Sequence, residues 1–572
     1  MGRFLTGIVA SFALLQTCLA GDVSSYRSKE YKVAKAGLFA NIGTSGAKPG
    51  VVVASPSTVN PDYVYTWTRD SSLVYKWIID QYTLGRDTSK STLKYITDFV
   101  AAEGILQTVP NLSGNVGEPK FEVNLTAFNG SWGRPQRDGP ALRATAMITL
   151  GNYFISEGNK SYPANTLWPK IQIDLDFVAS TWNMTGFDLW EEVDGSSFFT
   201  IAVQHRGLRE GAKFAVKQKD YVRAGTYTSA ADSLLCFLQS FWSTTSSALI
   251  ANINVDNGRS GLDVNTILGI IHTFDPKATP NDVSTFQPAS DMALLNHYST
   301  VNAFRSIYGI NSGIAAGSAV NIGRYPEDVY YNGNPWYLAT LAAAEQLYYA
   351  LYQWDQAGKI NVTSISLPFF TQLVSGTTVG VYKSSSKAYS KLVSAVTKYA
   401  DGFVELAAQY TPADGQLSEQ YNKANGTQLS AEKLTWSFAS ALTALDAKKG
   451  DFSASWGAKG LTTTCVGGGA GPGPKVPITF NEEIGSASVV AGATVGIVGS
   501  IAQLNNWASG DPIELTSLGN SSWTVTIEIP AGSSFEYKYI QTLNGTVTWE
   551  SDPNRSLTAP SNGSYTENDV WR

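Results

Sequence analysis

The stretch Asp188-Leu189-Trp190-Glu191-Glu192-Val193-Asp194-Gly195-Ser196-Ser197-Phe198-Phe199 packs four carboxylates into seven positions around one tryptophan. Only 15% of the 572 residues are charged, so the density is local. Two readings are open. Acids suit the first turn of a helix, where the positive end of the dipole lies. Alternatively, a carboxyl set beside a large aromatic is desolvated, keeps its proton near neutral pH and can act as an acid. The rest of the chain has to decide.

Net charge is −6, which disfavours nucleic acid and anionic membranes as partners. His205, His272 and His297 are scattered and no Cys/His cluster has ligand spacing, so neither metal nor cofactor is expected. The G-x-S-x-G elbow, the P-loop and the G-x-G-x-x-G fingerprint are absent. Aromatics are plentiful at 12%. Residues 1–20, with Arg3, an apolar run from Phe4 to Leu15 and Cys18-Leu19-Ala20, read as a secretory signal peptide. Its removal leaves Cys236 and Cys465, most simply one disulfide in an oxidising compartment. Sequons at Asn111, Asn124, Asn183, Asn361 and Asn425 fit a secreted, extracellular protein, expected to be a monomer.

Working outward, Leu142 to Ile155, Tyr337 to Trp354, Tyr389 to Tyr410 and Ala431 to Lys448 carry apolar residues at three- and four-residue spacing. Ser430 is the expected N-cap of the last and Gly358 the stop of the second. Alternating strands are scarce, so residues 26–460 read as an all-α domain. Residues 461–477, with Gly467-Gly468-Gly469 and three prolines, read as a linker. Beyond Ile478 the period becomes two, as in Val525-Thr526-Ile527-Glu528-Ile529, and residues 478–572 read as a small antiparallel β-sandwich.

Between the helices lie polar, aromatic loops: Asn60 to Asp70, Gly130 to Gly139, Gly323 to Trp336 and Leu417 to Tyr421. Loops held by a rigid scaffold are where binding groups concentrate. Aromatic faces beside planar Arg, Asp and Asn groups suit a sugar, which offers C–H faces for stacking and a rim of hydroxyls.

These loops resemble those of the fungal glucoamylases, inverting glycosidases of glycoside hydrolase family 15. The matching motifs are Tyr65-Thr66-Trp67-Thr68-Arg69-Asp70, Gly130 through Gly139, Asp188-Leu189-Trp190-Glu191-Glu192, Gly323-Arg324-Tyr325-Pro326-Glu327-Asp328 and Ser418-Glu419-Gln420-Tyr421. The resemblance implies an (α/α)6 barrel with Glu191 as general acid, Glu419 as general base and Asp188 as an auxiliary carboxylate. It implies that Arg69 and Asp70 bind the non-reducing glucose, that Arg324 with Glu192 grips the next sugar, and that Asp328 is a substrate-binding residue. Tyr63, Trp67, Trp132, Leu189, Trp190, Trp336 and Trp436 would wall the pocket. Its substrates would be starch, glycogen-like glucans and malto-oligosaccharides, cut at α-1,4 and more slowly at α-1,6 links with release of β-D-glucose.

The tail is similar to the starch-binding modules of carbohydrate-binding family 20. That similarity assigns Trp507 and Trp549 as stacking faces, with Lys538, Glu550 and Asn554 as polar partners. Three departures stand out. Phe128 replaces the family's usual tyrosine, the linker is short, and Gly496 occupies a tyrosine position of the module's second sugar site. One competent starch site is therefore expected.

Overall fold

The computed structural model describes residues 23–44, 46–462, 475–485, 488–507, 509–510, 512–519, 521–531, 533–560 and 563–572. The signal-peptide reading, most of the linker and the Cys236–Cys465 pairing fall on residues outside these. The chain divides into two compact units, one running to Thr462 apart from the short 180–185 segment, the other holding the C-terminal residues.

The first unit is helical. Six of its helices, Thr68–Thr83, Asp138–Ser156, Phe198–Lys217, Val264–His272, Tyr337–Ala357 and Thr435–Lys449, pack each against the next, and the last returns to the first, closing a ring. Their composition explains the placement. Tyr337–Ala357 buries Ala339, Leu341, Ala342, Ala343, Ala344 and Leu347 around its whole circumference, as a helix covered on all sides must. Lys387–Tyr410 instead buries a stripe at Leu392, Val396, Tyr399, Ala400, Phe403 and Ala407, and lays it against Tyr337–Ala357. Gly358, at φ 62°, ends the latter with the left-handed residue a C-terminus favours.

Two expectations need correction. The helix after Glu419 begins at Thr435, not Ala431, and Ser430 caps nothing: its backbone is left-handed (φ 62°) and its hydroxyl serves Glu419. The acid-rich stretch is not a helix start either. Strands Gly186–Phe187 and Asp194–Ser197 pair antiparallel, residues 188–193 turn between them, and helix begins only at Phe198. The Asp188 carboxylate drives this by accepting the backbone N–H groups of Glu192 (3.1 Å) and Val193 (3.3 Å), which closes a turn. Similar short pairs, Tyr65–Trp67 with Lys120–Glu122 and Gln420–Tyr421 with Gln428–Leu429, are too brief to show a period of two in sequence.

The second unit is a β-sandwich of two sheets. Strands Thr516–Gly519, Ser522–Pro530, Lys475–Glu483 and Tyr565–Val570 form one; Ile513–Glu514, Thr494–Gly499, Ser534–Leu543, Thr546–Trp549 and Arg555–Thr558 form the other. Ile478, Phe480, Ile497, Tyr537 and Tyr539 meet between them. The sheets are not purely antiparallel, because Lys475–Glu483 runs parallel to Tyr565–Val570. The first strand also starts three residues before Ile478. Pro477 fits there because the parallel neighbour joins only at Ile478, leaving that edge without a partner for the missing N–H.

Candidate active site

Three ring helices, Thr68–Thr83, Tyr337–Ala357 and Thr435–Lys449, begin among the residues that line one pocket of about 510 Å³, and the starts of two others are tied to its walls by Asp138 bonding Arg69 and Asp263 bonding Trp190. Glu191 enters it from the turn between Gly186–Phe187 and Asp194–Ser197, with its own backbone left-handed at φ 68°. That conformation is uncommon for a residue with a Cβ and marks a position held by its surroundings. The holding contacts are backbone bonds from Asp188 N–H to Val193 (2.9 Å) and from Glu191 N–H to Asp188 (2.9 Å). Asp188 itself is fully buried. Its second oxygen accepts from Asn252 Nδ2 (3.0 Å), so it faces protein rather than the pocket lumen. It braces the turn and is not among the pocket-lining residues, so the carboxylate expected as an auxiliary stands behind Glu191 rather than in the lumen.

The Glu191 carboxylate accepts from Arg69 Nη2 at 2.9 Å and from Trp132 Nε1. Arg69 is not paired with Asp70. Its other arm binds Asp138 (2.7 Å) and Gln136 (2.9 Å), two partners that sequence reasoning passed over. Burial raises the Glu191 pKa, against the opposing pull of Arg69 and the Trp132 hydrogen bond. Asp70, which lines the pocket, is pushed by burial up to about 7.

Glu419 stands at the base of the hairpin formed by Gln420–Tyr421 and Gln428–Leu429, and Ser430 follows the second strand. Ser430 and Gln420 Nε2 (3.2 Å) both donate to its Oε2. Burial raises its pKa too, with Ser430 and Arg324 working in the opposite direction. Arg324 lies between the two halves of the site. It grips Asp328 with two bonds (2.8 and 2.7 Å) and reaches Glu192 Oε1 with Nη1 at 2.8 Å. Asp328, expected to contact substrate, is buried behind that fork, is not among the pocket-lining residues and braces Arg324. Glu192 also accepts from Arg259 (2.8 Å) and Tyr325. Burial alone would raise its pKa, yet Arg324 and these donors bring it below the usual carboxylate range.

The predicted wall is present: Tyr63, Trp67, Trp132, Leu189, Trp190, Trp336 and Trp436 all line the pocket. Trp190 is fixed by a bond from Nε1 to Asp263 (2.9 Å) and packs against Trp336 and Trp436 with ring centroids 5.7 and 6.1 Å away. Tyr330 and Lys120 were missed. Tyr330 meets Tyr63 hydroxyl to hydroxyl at 3.1 Å. Lys120 is brought in by a two-strand ladder, a pairing no local motif announces, and burial lowers its pKa to about 8. Phe128 packs against Trp132 and Tyr65.

In the second unit, Trp549 is 41% exposed and Trp507 half-buried. Asn554 is exposed and donates to Glu536 (3.0 Å), while Lys538 pairs with Asp552. Glu550, expected as a polar partner of the sugar, sits in the interior of the unit. Its carboxylate is fully covered, taken by Arg555 (2.8 to 3.0 Å) and the Tyr539 N–H (2.9 Å), so it braces the sheet from within.

A glycosyl hydrolases family 15 pattern matches residues 32–446, and a starch binding domain pattern matches residues 475–569. The chain is 50% identical to Glucoamylase-1 of Schizophyllum commune, over 99% of this chain and 98% of that one. It is 46% identical to the Neurospora crassa glucoamylase, over 96% and 94%. The solved family 15 glucoamylase of Hypocrea jecorina superposes with a TM-score of 0.76 at 44% identity, covering 96% of this chain and all of that one. The chain belongs to the glycosyl hydrolases of family 15. It is an enzyme of the glucoamylase kind, acting on starch-type glucans and followed by a starch-binding domain.

Proposed function

We propose that the enzyme removes glucose from non-reducing chain ends by a single inverting displacement. The observation that carries this is the presence of two carboxyls, the half-buried Glu191 and the buried Glu419, on separate hairpins of one pocket. Inversion needs one protonated carboxyl at the leaving oxygen and one ionised carboxyl holding water, some 6.5 to 9.5 Å apart. Glu191 gives its proton to the glycosidic oxygen. The carboxylate it becomes is met by Arg69 and Trp132, which already address its two oxygens. Glu419, oriented by Ser430, takes a proton from the attacking water. Asp70 and Arg69 hold the terminal glucose and Arg324 with Glu192 the next ring, α-1,4 links being cut faster than α-1,6.

We also read the ring of helices as the inner layer of an (α/α)6 barrel over residues 26–460, and the protein as a secreted monomer with a disulfide and N-linked glycans. Among the described residues no helix is long and apolar enough to cross a membrane. Proton NMR of the first glucose released from maltotriose tests the mechanism, with the β anomer expected and the α anomer overturning inversion. Glu191→Gln and Glu419→Gln should each lower kcat by roughly 10² to 10⁴.

A further inference from the structure

Lys120 is 3% exposed and lines the active-site pocket, yet among the described residues its ammonium has no carboxylate within ion-pair distance. Aromatic rings surround it instead. Its Nζ lies 3.6 Å from the ring centroid of Trp132, 3.9 Å from Tyr65, 4.2 Å from Phe128 and 4.7 Å from Trp67. The rings also pack on one another, Trp67 and Phe128 each against Trp132 and Tyr65 against Phe128. Ring faces attract a cation and replace the missing counter-ion without neutralising it. One of these rings carries a second duty, because the Trp132 Nε1–H is donated to Glu191. The ammonium thus grips the face of the indole whose edge addresses the catalytic carboxyl.

We infer that Lys120 is a positioning residue for Glu191: it pins the Trp132 indole in its donating orientation, and its uncancelled charge sets the alkaline limit of activity. The charged groups around Lys120 are Glu191, Asp62, Glu122 and Arg134, and those around Glu191 include Arg69 and Asp70. Of these cations, Lys120 is the one held by rings alone. A positive charge here favours the ionised form of Glu191, so an acid that must stay protonated loses its proton at lower pH than it otherwise would.

The inference rests on Glu191 being the proton donor, so the test separates the two. kcat and kcat/KM for maltotriose are measured against pH on the full-length wild type and the K120M, K120R and E191Q variants. K120M is expected to move the alkaline limb of kcat/KM up by roughly 0.5 pH unit, as loss of one nearby charge requires. Its kcat should fall roughly tenfold, with KM changed less, because the indole is no longer held. K120R, which keeps the charge and can stack, should restore the limb. A K120M enzyme whose limb stays or moves down overturns the inference. E191Q that keeps its activity overturns the donor assignment instead. If K120M does not fold, F128L thins the cage with the ammonium in place: a lower kcat with an unmoved limb supports the pinning role, and wild-type kinetics overturn it.

Discussion

Ser430 donates its hydroxyl to Oε2 of Glu419 across the base of a hairpin that Glu419 opens and Ser430 closes. Burial favours the protonated form of Glu419 and this donor favours the charged one. A catalytic base must be ionised, so removing the donor raises its pKa and hurts activity on the acid side. Ser430→Ala should shift the acid limb of kcat/KM upward by up to about 1 pH unit. A pH profile on maltotriose measures it, and an unmoved limb would argue against Glu419 as base.

Asp188 and Asn252 give a second prediction. Asp188→Ala removes the acceptor for two backbone N–H groups and frees the left-handed turn that presents Glu191. A loss of kcat of roughly 10² is expected from misplacement alone. Asp188→Asn should come close to wild type, because Asn252 can turn its amide and offer the Oδ1 that now lacks a partner. Equal damage from Ala and Asn would mean that the charge, rather than the brace, is required.

Arg555 ties the starch-binding unit together through Glu550, Asp569 and the carbonyl of Val570. Arg555→Met leaves two buried carboxylates without their cation, a change that destabilises by about 3 to 5 kcal/mol. Granule adsorption should be lost while maltotriose hydrolysis is kept. Sedimentation with raw starch and a glucose assay read the two separately.

Among the described residues Glu482, in the same unit, has no hydrogen-bond partner on either oxygen, and burial pushes its pKa up to about 8 from an ordinary 4.5. The unfolded chain gives up this proton near 4.5 and the folded one keeps it, so stability falls as pH rises between the two values and levels off above. Glu482→Gln should therefore raise the melting temperature at pH 7.5 more than at pH 4.5, measured by calorimetry on the whole chain. A pH-independent difference would refute the linkage.

Gly496 has a steric reason to be small. A Cβ there would meet the Pro512 side chain at 2.7 Å. The aromatic face needed for a second sugar site is absent at this position, and titration calorimetry with a cyclic glucan should give one equivalent on this unit. Two equal sites would contradict it.

Much of the pocket was legible because its groups lie in compact strings. Arg69 and Asp70 are adjacent, Glu191 and Glu192 follow Trp190, and Glu419 precedes Gln420. Lys120, Tyr330 and Ser430 were not, since each acquires its role through a partner 11 to 267 positions away. A short strand pair has no period to read, and a hydroxyl or ammonium among polar neighbours looks like any surface residue. Asp188, Asp328 and Glu550 show the opposite limit, because the sequence does not reveal that each carboxylate is bonded within the protein. A carboxylate in a functional string reads as chemistry, and its burial and bonding partners come only from the fold.

Three ring helices start among the residues lining the pocket, so their peptide dipoles direct partial positive charge toward it and negative charge away. Carboxylates gather at the first end as Asp70, Glu191, Glu192 and Glu419, while Lys217, Lys448 and Lys449 occupy last turns at the other. Backbone and side chains thereby carry opposed polarities along one axis. The domain can concentrate acid at its mouth without becoming a strongly polarised body, and a neutral polymer can approach it without being steered by a long-range field.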